Sequence, residues 1–156
     1  MKKITPLLFD SYLAVIKNSV GSKMFRNFYA KVNGQRTDIM KNGKLSCAFY
    51  VSAVLALFQL IKRQHATVDS TVKDLRESSW QPAKKPKIGS VLIWEKTDSG
   101  NGDFHQHIGF YIGGRKAISN SSKSGCPVRH HWTFGNKRKV KMILWNPKLK
   151  ENPNRR

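Results

Sequence analysis

Apolar residues recur at helical spacing through Leu8, Tyr12, Leu13 and Ile16, which predicts a first helix over residues 5–20, stopped by Gly21-Ser22. Residues 30–44 are polar and carry the turn signals Asn33-Gly34 and Asn42-Gly43, so they read as a loop. Ser46 then stands as an N-cap before a run from Cys47 to Ile61 that is apolar almost all round and ends in Lys62 and Arg63. A helix with no polar face must be enclosed by protein, so this one is expected at the centre of the fold. A further short helix is predicted from Ser70 to Ser79.

After Trp80 the Pro- and Lys-rich residues 81–87 read as extended, and the period of the pattern changes. Residues 91–94, 107–112, 116–119 and 140–145 are β-branched or aromatic runs bounded by turn residues, with Gly113-Gly114 suited to a hairpin between two of them. Helices first and antiparallel strands later define an α+β domain. The expected organisation is one domain over residues 1–145, helical over 1–80 and sheet over 88–145, followed by a basic tail at 146–156.

The chain has 156 residues, 39% of them hydrophobic, which is enough for a packed core and too apolar for a disordered basic tail. Its 29 Lys plus Arg against 9 Asp plus Glu give a formal net charge of +20. Such a field draws the protein towards nucleic acid, anionic lipid or an anionic cell-wall polymer without choosing among them. Residues 137–156 carry eight cations against the single acid Glu151. The apolar run at residues 48–61 is shorter than the roughly 20 residues a membrane helix needs, so no membrane span is expected. Met1-Lys2-Lys3 imitates the start of a secretory signal, but Asp10 interrupts its apolar stretch and no small-residue cleavage site follows, so no signal peptide is assigned.

Cys47 and Cys126 are the only cysteines, which excludes a disulfide-dense scaffold. Cys47 falls at the start of the central helix, where backbone N–H groups and the helix dipole favour an anion, so its thiol pKa is expected to be lowered. The same amides suit an oxyanion on an attacked carbonyl. His107 opens an apolar strand and is followed by Gly109, which leaves room for a neighbouring element. In such a pair His107 takes the proton from Cys47 and returns one to the leaving amine. Asn120 is the expected third member that orients the imidazole, with Ser119 as its rival.

The segments Leu45-Ser46-Cys47-Ala48-Phe49-Tyr50-Val51-Ser52, Pro86-Lys87-Ile88-Gly89-Ser90-Val91-Leu92-Ile93-Trp94 and His107-Ile108-Gly109-Phe110-Tyr111-Ile112-Gly113 resemble, in this order, the three motifs of the papain-like cell-wall cysteine hydrolases of bacteria and their phages. These comprise the NlpC-type endopeptidases and CHAP amidases. The resemblance spans residues 45–120 and implies a papain-like fold, Cys47 as nucleophile, His107 as base, a polar third member near Asn120, and amide bonds of peptidoglycan as substrate. It implies no cofactor. The chain departs from the family at Ser90, where the second motif has Asp, and at Ser46-Cys47-Ala48-Phe49, where Asp-Cys-Ser-Gly is usual; the Tyr that often accompanies the nucleophile has no counterpart.

Trp132, beside His131, is the expected aromatic wall of the cleft, and Ser46 is expected to touch substrate. His105 lies two positions before His107 on the same side of a strand and competes with it as base. His105, His107, His130, His131 and Cys126 also raise a zinc alternative, whose spacing fits no standard pattern. Residues 98–103 are oxygen-rich like a calcium loop but lack the alternating acids and terminal Glu of an EF-hand, so a hairpin loop is expected. Cys126 is assigned no role. The expected activity is therefore a cysteine hydrolase acting on peptidoglycan at the cell wall or in the periplasm. The rivals are a basic nucleic-acid-binding protein without catalysis, and an acyltransferase or toxin on the same fold.

Overall fold

A computed structural model describes residues 1–98 and 102–150. It is an α+β fold with helices α1 (Leu8–Asn18), α2 (Cys47–Leu57) and α3 (Val68–Glu77). The strands are β1 (Tyr29–Val32), β2 (Gln35–Asp38), β3 (Gln81–Pro82), β4 (Val91–Asp98), β5 (Phe104–Gly113), β6 (Lys116–Ser121), β7 (Cys126–His131) and β8 (Val140–Trp145). The last six form one antiparallel sheet in the order β3-β8-β4-β5-β6-β7, and β1 and β2 form a separate hairpin.

Each helix follows from its pattern. Phe9, Tyr12, Leu13 and Ile16 make the buried face of α1. In α3 the side chain of Thr67 accepts from the Ser70 N–H, and Val68, Thr71, Asp74 and Leu75 face inward. Helix α2 packs on β5 and β6 as the central element, with Tyr50, Val51, Val54 and Leu55 joining Ile93, Ile108, Phe110, Ile118 and Leu144 in one core. Alternate strand residues point the other way, where Leu92, Trp94 and Ala117 are covered by Tyr111, Trp132, Phe134, Val140 and Ile143.

Several expected boundaries move. Residues 30–44 contain the β1–β2 hairpin, because Asn33 and Gly34, at φ of 50° and 80°, form a tight turn whose hand suits twisted strands. Helix α2 stops at Leu57 instead of continuing to Ile61. Gln59 takes a left-handed φ of 55°, the Leu60 N–H bonds back to Leu55, and Leu60 and Ile61 are buried beyond the turn. Lys62 and Arg63 therefore lie outside its last turn. Strand β7 was not expected, and β3 occupies the first two residues of the segment expected to be extended. The domain also extends past residue 145: Leu149 is buried in the core and Asn146 donates to the Ser78 carbonyl, so the expected tail begins with residues the domain holds. Residues 151–156 of that tail, and 99–101 of the β4–β5 connection, lie outside the described residues; within that connection the Gly102 N–H donates to Asp98 Oδ1. No helix among the described residues is long and apolar enough to cross a membrane.

Candidate active site

The loop preceding α2 is held against the far end of the sheet. Gly43 packs on Gly125 of the β6–β7 turn so closely that a Cβ would lie 2.5 Å from the Gly125 carbonyl oxygen, and Asn120 Nδ2 donates to the Gly43 carbonyl at 2.7 Å. This fixes the point at which the chain enters α2. Cys47, half-buried, sits at the first turn with its sulfur in hydrogen-bonding reach of the backbone N–H groups of Ile108 and Ala48. Ile108 is the residue after His107, so the structure brings the helix-start cysteine and the strand histidine to one place.

Helix position does not lower the thiol pKa as expected. Burial pushes the Cys47 thiol up from its ordinary value, against the opposing pull of the Ile108 and Ala48 amides and of the Arg138 cation. Burial, together with Arg138 and His130, lowers His107 to about 3. At neutral pH both the Cys47 thiol and the His107 imidazole are therefore uncharged.

His107 Nε2 is 2.8 Å from Ser119 Oγ, which is 2.7 Å from His130 Nε2, and His130 Nδ1 is 2.8 Å from the His131 carbonyl oxygen. Asn120 makes no such bond with His107. The reason is sheet alternation: Gly109 pairs with Ser119, so Ser119 shares the face of His107, while Asn120 points to the opposite face and to Gly43. Gly109 is required here, since a Cβ would come within 2.7 Å of both the Ser119 Cβ and the Ile118 carbonyl oxygen. Trp94 closes the floor, with ring centroids 5.3 Å from His107 and 5.7 Å from His130, and Phe134 stacks on His130 at 4.0 Å.

A cleft of about 1230 Å³ opens over this group, and Cys47, His107, Ser119, Asn120, His130 and Phe134 all reach its wall. Lys41, Lys44, Lys96, Lys123 and Arg138 line it against Asp69 and Asp103. Arg138 Nε donates to the Glu95 carbonyl and an Nη to that of His105, which fixes the guanidinium over the site.

Two expected substrate contacts are not there. Trp132 packs edge-on against Tyr111, 5.8 Å between ring centroids, and does not line the cleft, whose aromatic side chains are Phe104 and Phe134. Ser46 is fully buried, and although it precedes α2 its side chain caps nothing; its ψ of 6° departs from the extended backbone a capping hydroxyl needs. His105 is exposed at the cleft rim, across a register shift between Trp94 and Thr97 on β4, and it is His107 that meets Ser119. Cys126 is half-buried, with its thiol donating to Ser124 Oγ. Among the described residues no group of three or more His, Cys, Asp or Glu converges as a metal ion would require.

Sequence reasoning did not single out Arg138, His130 as a partner of Ser119, or Phe134. Arg138 was one cation within Lys137-Arg138-Lys139, where only its identity as Arg, the residue suited to fixed multidentate bonding, set it apart. Neither a protein-family model nor a curated protein matches the chain.

Proposed function

We propose that the protein is a cysteine hydrolase of amide bonds, related in fold and chemistry to the papain-like cell-wall enzymes, with Cys47 as nucleophile and His107 as base. The observation that carries this reading is the sulfur of Cys47 at the N–H of Ile108, one residue from the imidazole, at the head of a buried helix. Sulfur attacks the substrate carbonyl carbon while the thiol proton passes to His107; the carbonyl π pair moves to oxygen, where the amides at the start of α2 stabilise it. Collapse breaks the C–N bond, and the proton held by His107 leaves with the amine. Water, deprotonated by the same imidazole, then cleaves the thioester; an amine in place of water would make the reaction a transfer.

An uncharged resting pair suits this sequence because the proton moves as the S–C bond forms. Five cations facing two acids across the cleft favour an anionic substrate, and the carboxylate-bearing peptides of peptidoglycan have that chemistry. The net charge of +20 adds a salt-sensitive attraction to anionic wall polymers and also gives nucleic acid a non-specific hold.

Cys47→Ala is the decisive variant. Purified protein is expected to release soluble fragments from peptidoglycan, and Cys47→Ala to release none above background. Fragment release at the parental rate by this variant would rule out the covalent route.

A further inference from the structure

We propose that His130 is a positioning residue for the base: through Ser119 it holds His107 in the tautomer that can accept the Cys47 proton. This rests on the reading of Cys47 and His107 given above and adds the element that the family-like third residue, Asn120, does not supply.

The direction of the relay follows from its fixed end. A backbone carbonyl can only accept, so at 2.8 Å from the His131 oxygen the proton of His130 is on Nδ1. An uncharged His130 then has its lone pair on Nε2. Burial lowers His130 below the ordinary imidazole value and favours that uncharged form. The Ser119 hydroxyl, 2.7 Å away, must donate to that nitrogen. Having given its only proton to His130, Ser119 Oγ can only accept from His107 Nε2 at 2.8 Å. His107 therefore carries its proton on Nε2, and the lone pair is on Nδ1.

Reversing any link reverses all of them. With Ser119 turned round, its hydroxyl donates to His107 Nε2, the ring proton moves to Nδ1, and the nitrogen that Ser119 leaves free offers an N–H instead of a lone pair. When His107 becomes an imidazolium during the reaction, Nε2–H still donates to Ser119, so the relay survives the step with no further proton movement. The ring planes are held by packing: Phe134 lies on His130 with an interplanar angle of 14°, and Trp94 backs both imidazoles. The turn carrying Phe134 is tied by His131 Nδ1, which accepts from the Thr133 and Gly135 N–H groups.

The test uses the full chain labelled with ¹⁵N-histidine, in which long-range proton–nitrogen spectra report each ring's tautomer. His107 is expected as the Nε2–H form at neutral pH; finding it as Nδ1–H overturns the proposal without any variant. In His130→Phe and in Ser119→Ala, His107 is expected to shift towards Nδ1–H, and alkylation of Cys47 by iodoacetamide at fixed pH to slow about tenfold or more, as loss of an aligned base predicts. His130→Gln, whose side-chain oxygen accepts in place of Nε2, is expected to restore the tautomer and most of the alkylation rate. An unchanged His107 tautomer in both disrupting variants would show that the relay sets nothing. Because the tautomer is read without substrate, it stands even if Cys47→Ala still releases wall fragments, which would sink only the hydrolase.

Discussion

Two histidine clusters border helix α2 and use the same residue types to opposite ends. Between α2 and α3, His65 Nε2 lies 2.6 Å from Asp74 Oδ2, and the His65 N–H donates to Ser52 Oγ within α2. At the N-terminus of α2, His107 meets Ser119 and through it His130. The first cluster includes a carboxylate that also accepts from the Lys62 N–H and Ser78 Oγ; burial pushes Asp74 up, but His65 and these donors together bring it below the usual range. The second bonds imidazole to hydroxyl and carbonyl. The carboxylate gathers donors from both sides of the loop and makes a clasp, whereas burial keeps His107 neutral, the state a base must start from. Position agrees with this division, since the His65 clasp ties two helices and the His107 relay lies open to the cleft.

Removing the carboxylate should have the largest effect on stability. Asp74→Ala leaves the helix clasp with an unpaired histidine and orphaned donors at Lys62 and Ser78, and is expected to lower unfolding free energy by about 3 kcal/mol or more. Urea denaturation followed by circular dichroism measures this. If the two clusters act independently, the His107 tautomer in the folded variant stays as it was; a shifted tautomer would mean that α2 couples them.

Acid should separate the clusters by where each fails. The folded His107 is held to about 3, below its unfolded value, so its contribution is complete above the unfolded imidazole pKa of about 6.5 and is lost as pH falls towards 3. His130 shifts in the same direction. The His107 ring then costs up to about 1.4 kcal/mol per pH unit within that window, because the unfolded chain binds the proton first. Asp74, lowered in the fold, contributes above an unfolded carboxylate value of about 3.9 and is lost only below it. Unfolding free energy measured from pH 7 to 4 should therefore fall with a slope that His107→Gln reduces. Equal slopes in the parent and His107→Gln would mean that the ring is charged in the folded protein.

Legibility in the sequence followed the same physics. The α+β order, the central helix and the Cys47–His107 juxtaposition were readable because each depends on a local signal: helical spacing, an all-round apolar run, and a histidine followed by the glycine that lets Ser119 approach. The end of α2 was not, since Leu60 and Ile61 are buried beyond the turn at Gln59 just as Val54 and Leu55 are before it, and hydropathy does not change there. The His65 clasp was invisible for a different reason. His65 stands outside any element and Asp74 sits on an ordinary amphipathic helix, so only folding brings them together.

The choice between Ser119 and Asn120 shows how narrow the limit is, because adjacent residues of one strand differ only in the face they present, and face depends on register with β5. Asn120 has its own task in the structure, holding the Gly43 carbonyl from within the core. Asn120→Ala is expected to cost about 1–2 kcal/mol, the usual penalty for orphaning a buried acceptor. It should leave the His107 tautomer intact, since the relay runs on the other face. It should nonetheless slow Cys47 alkylation modestly, because the loop entering α2 loses an anchor and the sulfur its fixed station at the Ile108 amide. Were Asn120→Ala instead to change the tautomer while Ser119→Ala did not, the imidazole would be oriented by the asparagine after all, and the face assignment of β6 would have to be redrawn.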